Sequence, residues 1–136
     1  MKIILFTIVF SVFINTSFTQ NKAAVKSNTQ SIESIKVPDF ADAELLTFYT
    51  SCHNNLIKYL KAVRQNNRPA IKVAFDKDVS SFDKIVKMNE RASASAAEHR
   101  KLLDYLTLTK PFIKEISQHP YVKELSAAYL KTYNKK

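Results

Sequence analysis

An all-α, antiparallel up-and-down bundle of three long helices plus a shorter C-terminal helix is what this 136-residue chain predicts, on three observations. Glycine is absent, although average usage of about 7% would place roughly nine in such a chain. Because glycine supplies the positive φ of tight hairpins, its absence argues against a sheet with several two-residue turns. Downstream of residue 40, apolar residues recur at intervals of three and four, the period of one helix face. Prolines and capping residues punctuate those runs, which is where helices joined by polar turns need them.

The first twenty residues stand apart. Lys2 precedes a run from Ile3 to Ile14 that is apolar except for Thr7 and Ser11, and small residues flank the exit at Ser17-Phe18-Thr19. The run is well short of the roughly 20 residues a membrane span needs. A short positive end, an apolar run and a small-residue exit match a secretory signal peptide over 1–19, so the mature chain is expected to begin near Gln20, secreted or periplasmic, with no transmembrane span after leader removal. Functions that depend on cytosolic ATP are then excluded. Residues 20–38 are polar, weakly periodic and end at Pro38, and read as a flexible linker. Ile32, Ile35 and Val37 alternate within it and offer a second reading, a short docked extended segment.

The bundle domain is expected over 39–136. Its first helix opens at Asp42, whose carboxylate can accept from first-turn amides, with Glu44 at the positive helix end and Phe40 folding back as an apolar plug. Leu45, Tyr49, Cys52, Leu56, Tyr59 and Val63 form one stripe, widened by Leu46 and Leu60. Asn66-Asn67 can take the left-handed turn that glycine would otherwise supply. A second helix starts near Pro69 and carries Ile71, Phe75, Val79, Phe82 and Val86, with Ile85 and Met88 extending the face. The turn falls around Ala92 to Ala94. Ser95-Ala-Ala-Glu98 has the spacing of a capping box, followed by Leu102, Leu103, Leu106, Ile113 and Ile116. Pro111 lacks an amide and its ring opposes the carbonyl four residues back, so a kink or break is expected between Thr107 and Lys110. Pro120 begins the last helix, with Val122, Leu125, Tyr129 and Tyr133 on its stripe and His119 as its polar cap.

The segment FADAELLTFYTSCHNNLIKYLKAV, residues 40 to 63, resembles the opening helix of uncharacterised small exported helical proteins of the Bacteroidetes group, in which a Phe, a small or acidic cap, an acidic first turn and a Tyr-Thr pair recur. The resemblance covers about a fifth of the mature chain. It implies a helical exported protein and carries over no functional residue.

Composition narrows function further. Without glycine the chain has no phosphate-cradling loop, dinucleotide fingerprint or nucleophile elbow. With Lys2 removed, 20 basic residues face 12 acidic ones, a net charge of +8. Such a chain adheres to polyanions at low salt. Cys52 is the single cysteine, so no intrachain disulfide forms and apolar packing must supply the stability. Facing the core, Cys52 reads as a small buried hydrophobe, and His53, its neighbour, points about 100° away. His53, His99 and His119 sit in no C-x-x-C-H or H-E-x-x-H arrangement, and the acids interleave with lysines as solvated faces do, so no catalytic, metal or cofactor residue is assigned. The chain is expected to be non-enzymatic.

One cluster rises above background. In an up-and-down bundle, the end of the first helix, the start of the second and the junction of the third and fourth share a pole. Lys58, Lys61, Arg64, Arg68, Lys72, Lys110, Lys114 and Lys123 collect there against Glu115 and Glu124, eight cations against two acids, net +6. This is the expected anion-facing surface, for a polyanion or an acidic protein. Two alternatives remain open: a carrier holding an apolar ligand or haem between helices, with His99 and Met88 as the haem-side candidates, and an extracytoplasmic holdase chaperone.

Overall fold

The computed structural model describes residues 31–135, so the expected leader over 1–19 and the linker up to residue 30 lie outside the described residues. Among these residues the chain is all-helical: a single 3-10 turn, Ile32–Ser34, then α1 (Ala43–Arg64), α2 (Arg68–Ser80), α3 (Phe82–Ser93), α4 (Ala96–Gln118) and α5 (Pro120–Asn134).

α1 begins where its cap dictates. Asp42 accepts from the amides of Glu44 at 2.9 Å and Leu45 at 3.3 Å. Leu45, Tyr49, Tyr59, Leu60 and Val63 are buried and Cys52 and Leu56 half-buried, whereas Leu46 is exposed and does not widen the stripe. At the other end Asn66 takes φ of 50°. Its amide and that of Asn67 return to Val63 and Ala62, at 3.0 and 2.9 Å, which closes the helix as a Schellman turn with asparagine in place of glycine. The Asn67 side chain then caps α2, accepting from Ala70 at 3.1 Å, with Pro69 in the first turn.

The second rod differs from expectation. It is divided at Ser81, so five helices stand where four were predicted. The physical cause is the Ser80-Ser81 pair. Both hydroxyls bond the carbonyl of Lys77, at 2.9 and 2.8 Å, and the Ser81 amide is shared between the carbonyls of Lys77 and Asp78, both at 3.1 Å. Side-chain bonds of this kind compete with the helical ladder and bend it.

α4 runs through Pro111 without the break that was one of the two expected outcomes. The missing amide deprives the carbonyl of Thr107, and both Thr107 and Pro111 are exposed, so water can serve it. The inward face, Leu102, Tyr105, Thr109, Phe112 and Ile116, stays packed throughout. Ser95 accepts from the Glu98 amide at 3.4 Å, which is half of the expected capping box. Glu98 does not reciprocate. Its Oε1 accepts instead from the Ala41 amide at 3.4 Å and from Lys101 Nζ at 3.2 Å, while its Oε2 is buried with no hydrogen-bond partner among the described residues.

Those contacts place the arm before α1. Lys101 Nζ donates to the Asp39 carbonyl at 2.7 Å, Phe40 stacks obliquely on Tyr49 at 5.5 Å, and Ile32, Ile35 and Phe40 are at most 3% exposed. From Ile32 onward the segment read as a linker is therefore packed, its alternating apolar side chains completing the core.

Cross-contacts give the helix directions. Asp42 meets Arg91, Tyr49 donates to Asn89, and Asn55 Nδ2 donates to Asp78 at 2.8 Å, so α2 and α3 run opposite to α1. His53 meets Tyr105 and Arg64 meets Glu115, so α4 runs with α1. Arg68 meets Tyr121 and Phe75 meets Tyr129, so α5 runs with α2. The end of α1, the start of α2, the end of α4 and the start of α5 thus share one end of the molecule.

Candidate anion-binding pole

Arg64, Arg68 and Lys72 of the expected cations are engaged with acids. Arg64 grips Glu115 through two bonds, Nε to Oε2 at 2.8 Å and Nη2 to Oε1 at 3.1 Å, and this carboxylate holds the guanidinium above its ordinary pKa. Arg68 reaches Glu124 at 3.5 Å and lies 4.5 Å above the Tyr121 ring. Lys72 pairs with Asp76 at 2.6 Å, one helical turn along. All three pairs are exposed, a class worth about 0–1 kcal/mol each.

Lys58, Lys61, Lys114 and Lys123 are exposed and have no ion-pair partner among the described residues. Lys110 is half-buried. Burial, and then the charge of Lys114, hold its ammonium below the usual lysine range. Two acids missing from the sequence tally also stand here. Asp76 pairs with Lys72, and Glu33 lines a cavity of about 210 Å³ with Lys61 and Arg64 over an apolar floor of Ile32, Ile57 and Leu60. Eight cations against four acids leave +4 rather than +6.

Helix dipoles add little net field here, because α1 and α4 end where α2 and α5 begin. α2 and α5 both start at this end, and neither has an acid in its first turn, whereas α1, α3 and α4 carry Glu44, Asp83 and Glu98 there. A helix N-terminus bears about half a positive charge and a C-terminus about half a negative one. The two junctions are joined by His119, whose Nδ1 accepts from the Tyr121 amide at 3.1 Å while Nε2 lies 3.0 Å from Asn66 Oδ1. This clamp was legible only as a cap before Pro120. The Asn66 contact needs the three-dimensional meeting of two loops.

The remaining polar side chains form a different kind of environment at the waist. His53 Nδ1 and the Tyr105 hydroxyl are 2.7 Å apart, and burial lowers the His53 pKa. Burial also pushes the Asp78 carboxyl up to about 6, partly opposed by the Asn55 hydrogen bond. Burial, followed by the Asp78 charge, raises the Cys52 thiol to about 12, which leaves it a protonated, weakly nucleophilic group at neutral pH. His99 lies 3.3 Å from Ser93 Oγ at the far end, and Met88 is buried. Among the described residues no three His, Cys, Asp or Glu side chains converge to hold a metal ion, and no helix is long and apolar enough to cross a membrane. No known protein family, curated protein or solved structure matches this chain.

Proposed function

We propose that the chain is an exported, non-enzymatic up-and-down helical bundle, trimmed of residues 1–19, that binds a polyanion of the cell envelope or its surroundings through the pole carrying Lys58, Lys61, Arg64, Arg68, Lys72, Lys110, Lys114 and Lys123. The observation that carries the reading is the four exposed lysines that have no ion-pair partner among the described residues, gathered at one end of the molecule. Dipole complementation of α1 accounts for Lys61 and Arg64. It leaves Lys114 and Lys123 unexplained. Unpaired cations gathered on one surface repel each other, and a polyanion relieves that repulsion while releasing counterions.

The test is binding to dextran sulfate at low and physiological salt. Affinity should fall steeply with ionic strength, and replacing Lys58, Lys61, Lys114 and Lys123 together by Glu should weaken it about 100-fold at low salt. The same four-charge reversal at Lys77, Lys87, Lys131 and Lys135, away from the pole, should cost much less. Equal losses from the two variants would reduce the pole to general charge and sink the proposal. Export is tested separately, by the mass of the mature protein, which should begin near Gln20.

A further inference from the structure

The cations of this chain divide by type. Every arginine has a carboxylate: Arg64 has Glu115, Arg68 has Glu124, Arg91 has Asp42 and Glu44, and Arg100 has Asp104 at 3.7 Å. At the pole the cations that have no ion-pair partner among the described residues are Lys58, Lys61, Lys114 and Lys123, all of them lysines.

The division matters because the two cations recognise anions differently. A guanidinium presents paired N–H donors in a rigid fork that matches two oxygens of one phosphate, sulfate or carboxylate group. An ammonium on a flexible stem is a hydrated point charge. The fork of Arg64 is already filled, with Nε and Nη2 on the two carboxylate oxygens of Glu115. Arg68 lies over the Tyr121 ring with Nη2 turned to Glu124. Lysines therefore carry the unpaired charge of the pole, and they attract without fixing the orientation of what they bind.

Placement points the same way. Lys58 and Lys61 stand on α1, Lys114 on α4 and Lys123 on α5, and α4 packs against both α1 and α5. Axes of packed helices are about 8–10 Å apart, so one small anion cannot reach lysines on all three. A chain of charges can.

Resting on the polyanion reading of the pole, we infer that its ligand is a flexible linear polyanion selected by charge density and length rather than by the chemistry of its charged group: lysines supply the attraction, and carboxylates keep the arginines of the pole closed to discrete anions.

The probes are long-chain polyphosphate, dextran sulfate, tripolyphosphate and inorganic phosphate, titrated into the protein at low salt and one fixed neutral pH. Compared per unit charge, the two long polyanions should bind within about threefold of each other and tripolyphosphate at least about tenfold more weakly, with no binding of inorganic phosphate at about 1 mM. The log–log salt slope for long-chain polyphosphate should be about −3 to −4, roughly one counterion for each lysine. Two variants raise the charge of the pole equally but release different cations: Asp76→Ala releases Lys72, and Glu115→Ala opens the fork of Arg64. Both should strengthen long-chain polyphosphate binding alike, whereas Glu115→Ala should strengthen tripolyphosphate binding about threefold more than Asp76→Ala does. A wild-type preference above about tenfold for either long polyanion, wild-type binding of inorganic phosphate at about 1 mM, or equal tripolyphosphate gains in the two variants would each overturn the inference while leaving the pole reading standing. Absence of binding to both long polyanions at low salt would overturn both.

Discussion

The two ends of the molecule carry charge in different ways. At the end where α1 begins, Asp42 caps the helix and pairs with Arg91, which also meets Glu44 at 2.9 Å, and Glu98 and Lys101 bind the backbone of the arm at Ala41 and Asp39. Each of those charges holds chain to chain. At the opposite end Arg64, Arg68 and Lys72 have acids, yet Lys58, Lys61, Lys114 and Lys123 have no ion-pair partner among the described residues, and a half-buried Lys110 sits one turn from Lys114. The difference teaches that surplus positive charge at the pole is not what keeps the bundle folded. Substitutions that damage one end through stability should damage the other through binding.

The arm is the place to break that contrast hardest. Phe40→Ala removes a ring that is 3% exposed and packed on Tyr49, and should lower unfolding free energy by about 3–5 kcal/mol, read from urea denaturation. A loss below about 1 kcal/mol would mean that the arm is not part of the core. Next in size comes the waist between the ends. Asp78 has a folded pKa of about 6 against an ordinary 3.8, so the native state holds its proton more tightly. The contribution of this group to stability is therefore greatest below the unfolded value and is lost as pH rises through the folded one. Asp78→Asn, which retains an oxygen to accept from Asn55, should be more stable than wild type by about 1–3 kcal/mol at pH 7, and the gap should close toward about pH 4. A gap that is constant with pH would remove the burial explanation.

Smaller again is the cap. Asp42→Ala should cost about 1–2 kcal/mol, since it removes both the α1 cap and the Arg91 contact. At the pole, replacing Lys58, Lys61, Lys114 and Lys123 singly by Ala should change stability by no more than about 0.5 kcal/mol. Thermal unfolding of the four variants checks this. A loss above about 1 kcal/mol from any one of them would show a structural role and erase the distinction between the ends.

Much of the all-helical character was legible because local chemistry decided it. Asp42, Ser95 and His119 cap the helices they precede, Asn66 takes the left-handed turn, and the α1 stripe is buried or half-buried apart from Leu46. The misreadings share a cause, which is that competition between bonds cannot be judged from one residue type. Ser80 and Ser81 were passed over as ordinary helix residues, although a serine pair free to bond Lys77 can interrupt a ladder. Pro111 does not break α4, because the carbonyl it leaves without a donor is on an exposed turn that the sequence alone does not reveal. Glu98 has capping-box spacing, yet the arm offered its carboxylate another donor fifty-seven positions away. At the site, the cations were visible by count, but which of them would find acids was not. Arg64 and Glu115 are 51 residues apart, and Glu33 enters only because the arm folds back.

That fold-back also orders events in time. A chain emerging N-terminus first presents Ile32, Ile35 and Phe40 early, but the Glu98 and Lys101 contacts that tether the arm arrive some sixty residues later. Until α4 has been delivered, the α1–α2 hairpin can form by local pairing while the arm lacks these tethers. Joining the two closes a long loop, a step whose entropic cost precedes its reward. The interior is thus completed by the first strip of the described sequence, and a truncated chain ending before Ala96 should leave that strip without its Glu98 and Lys101 tethers.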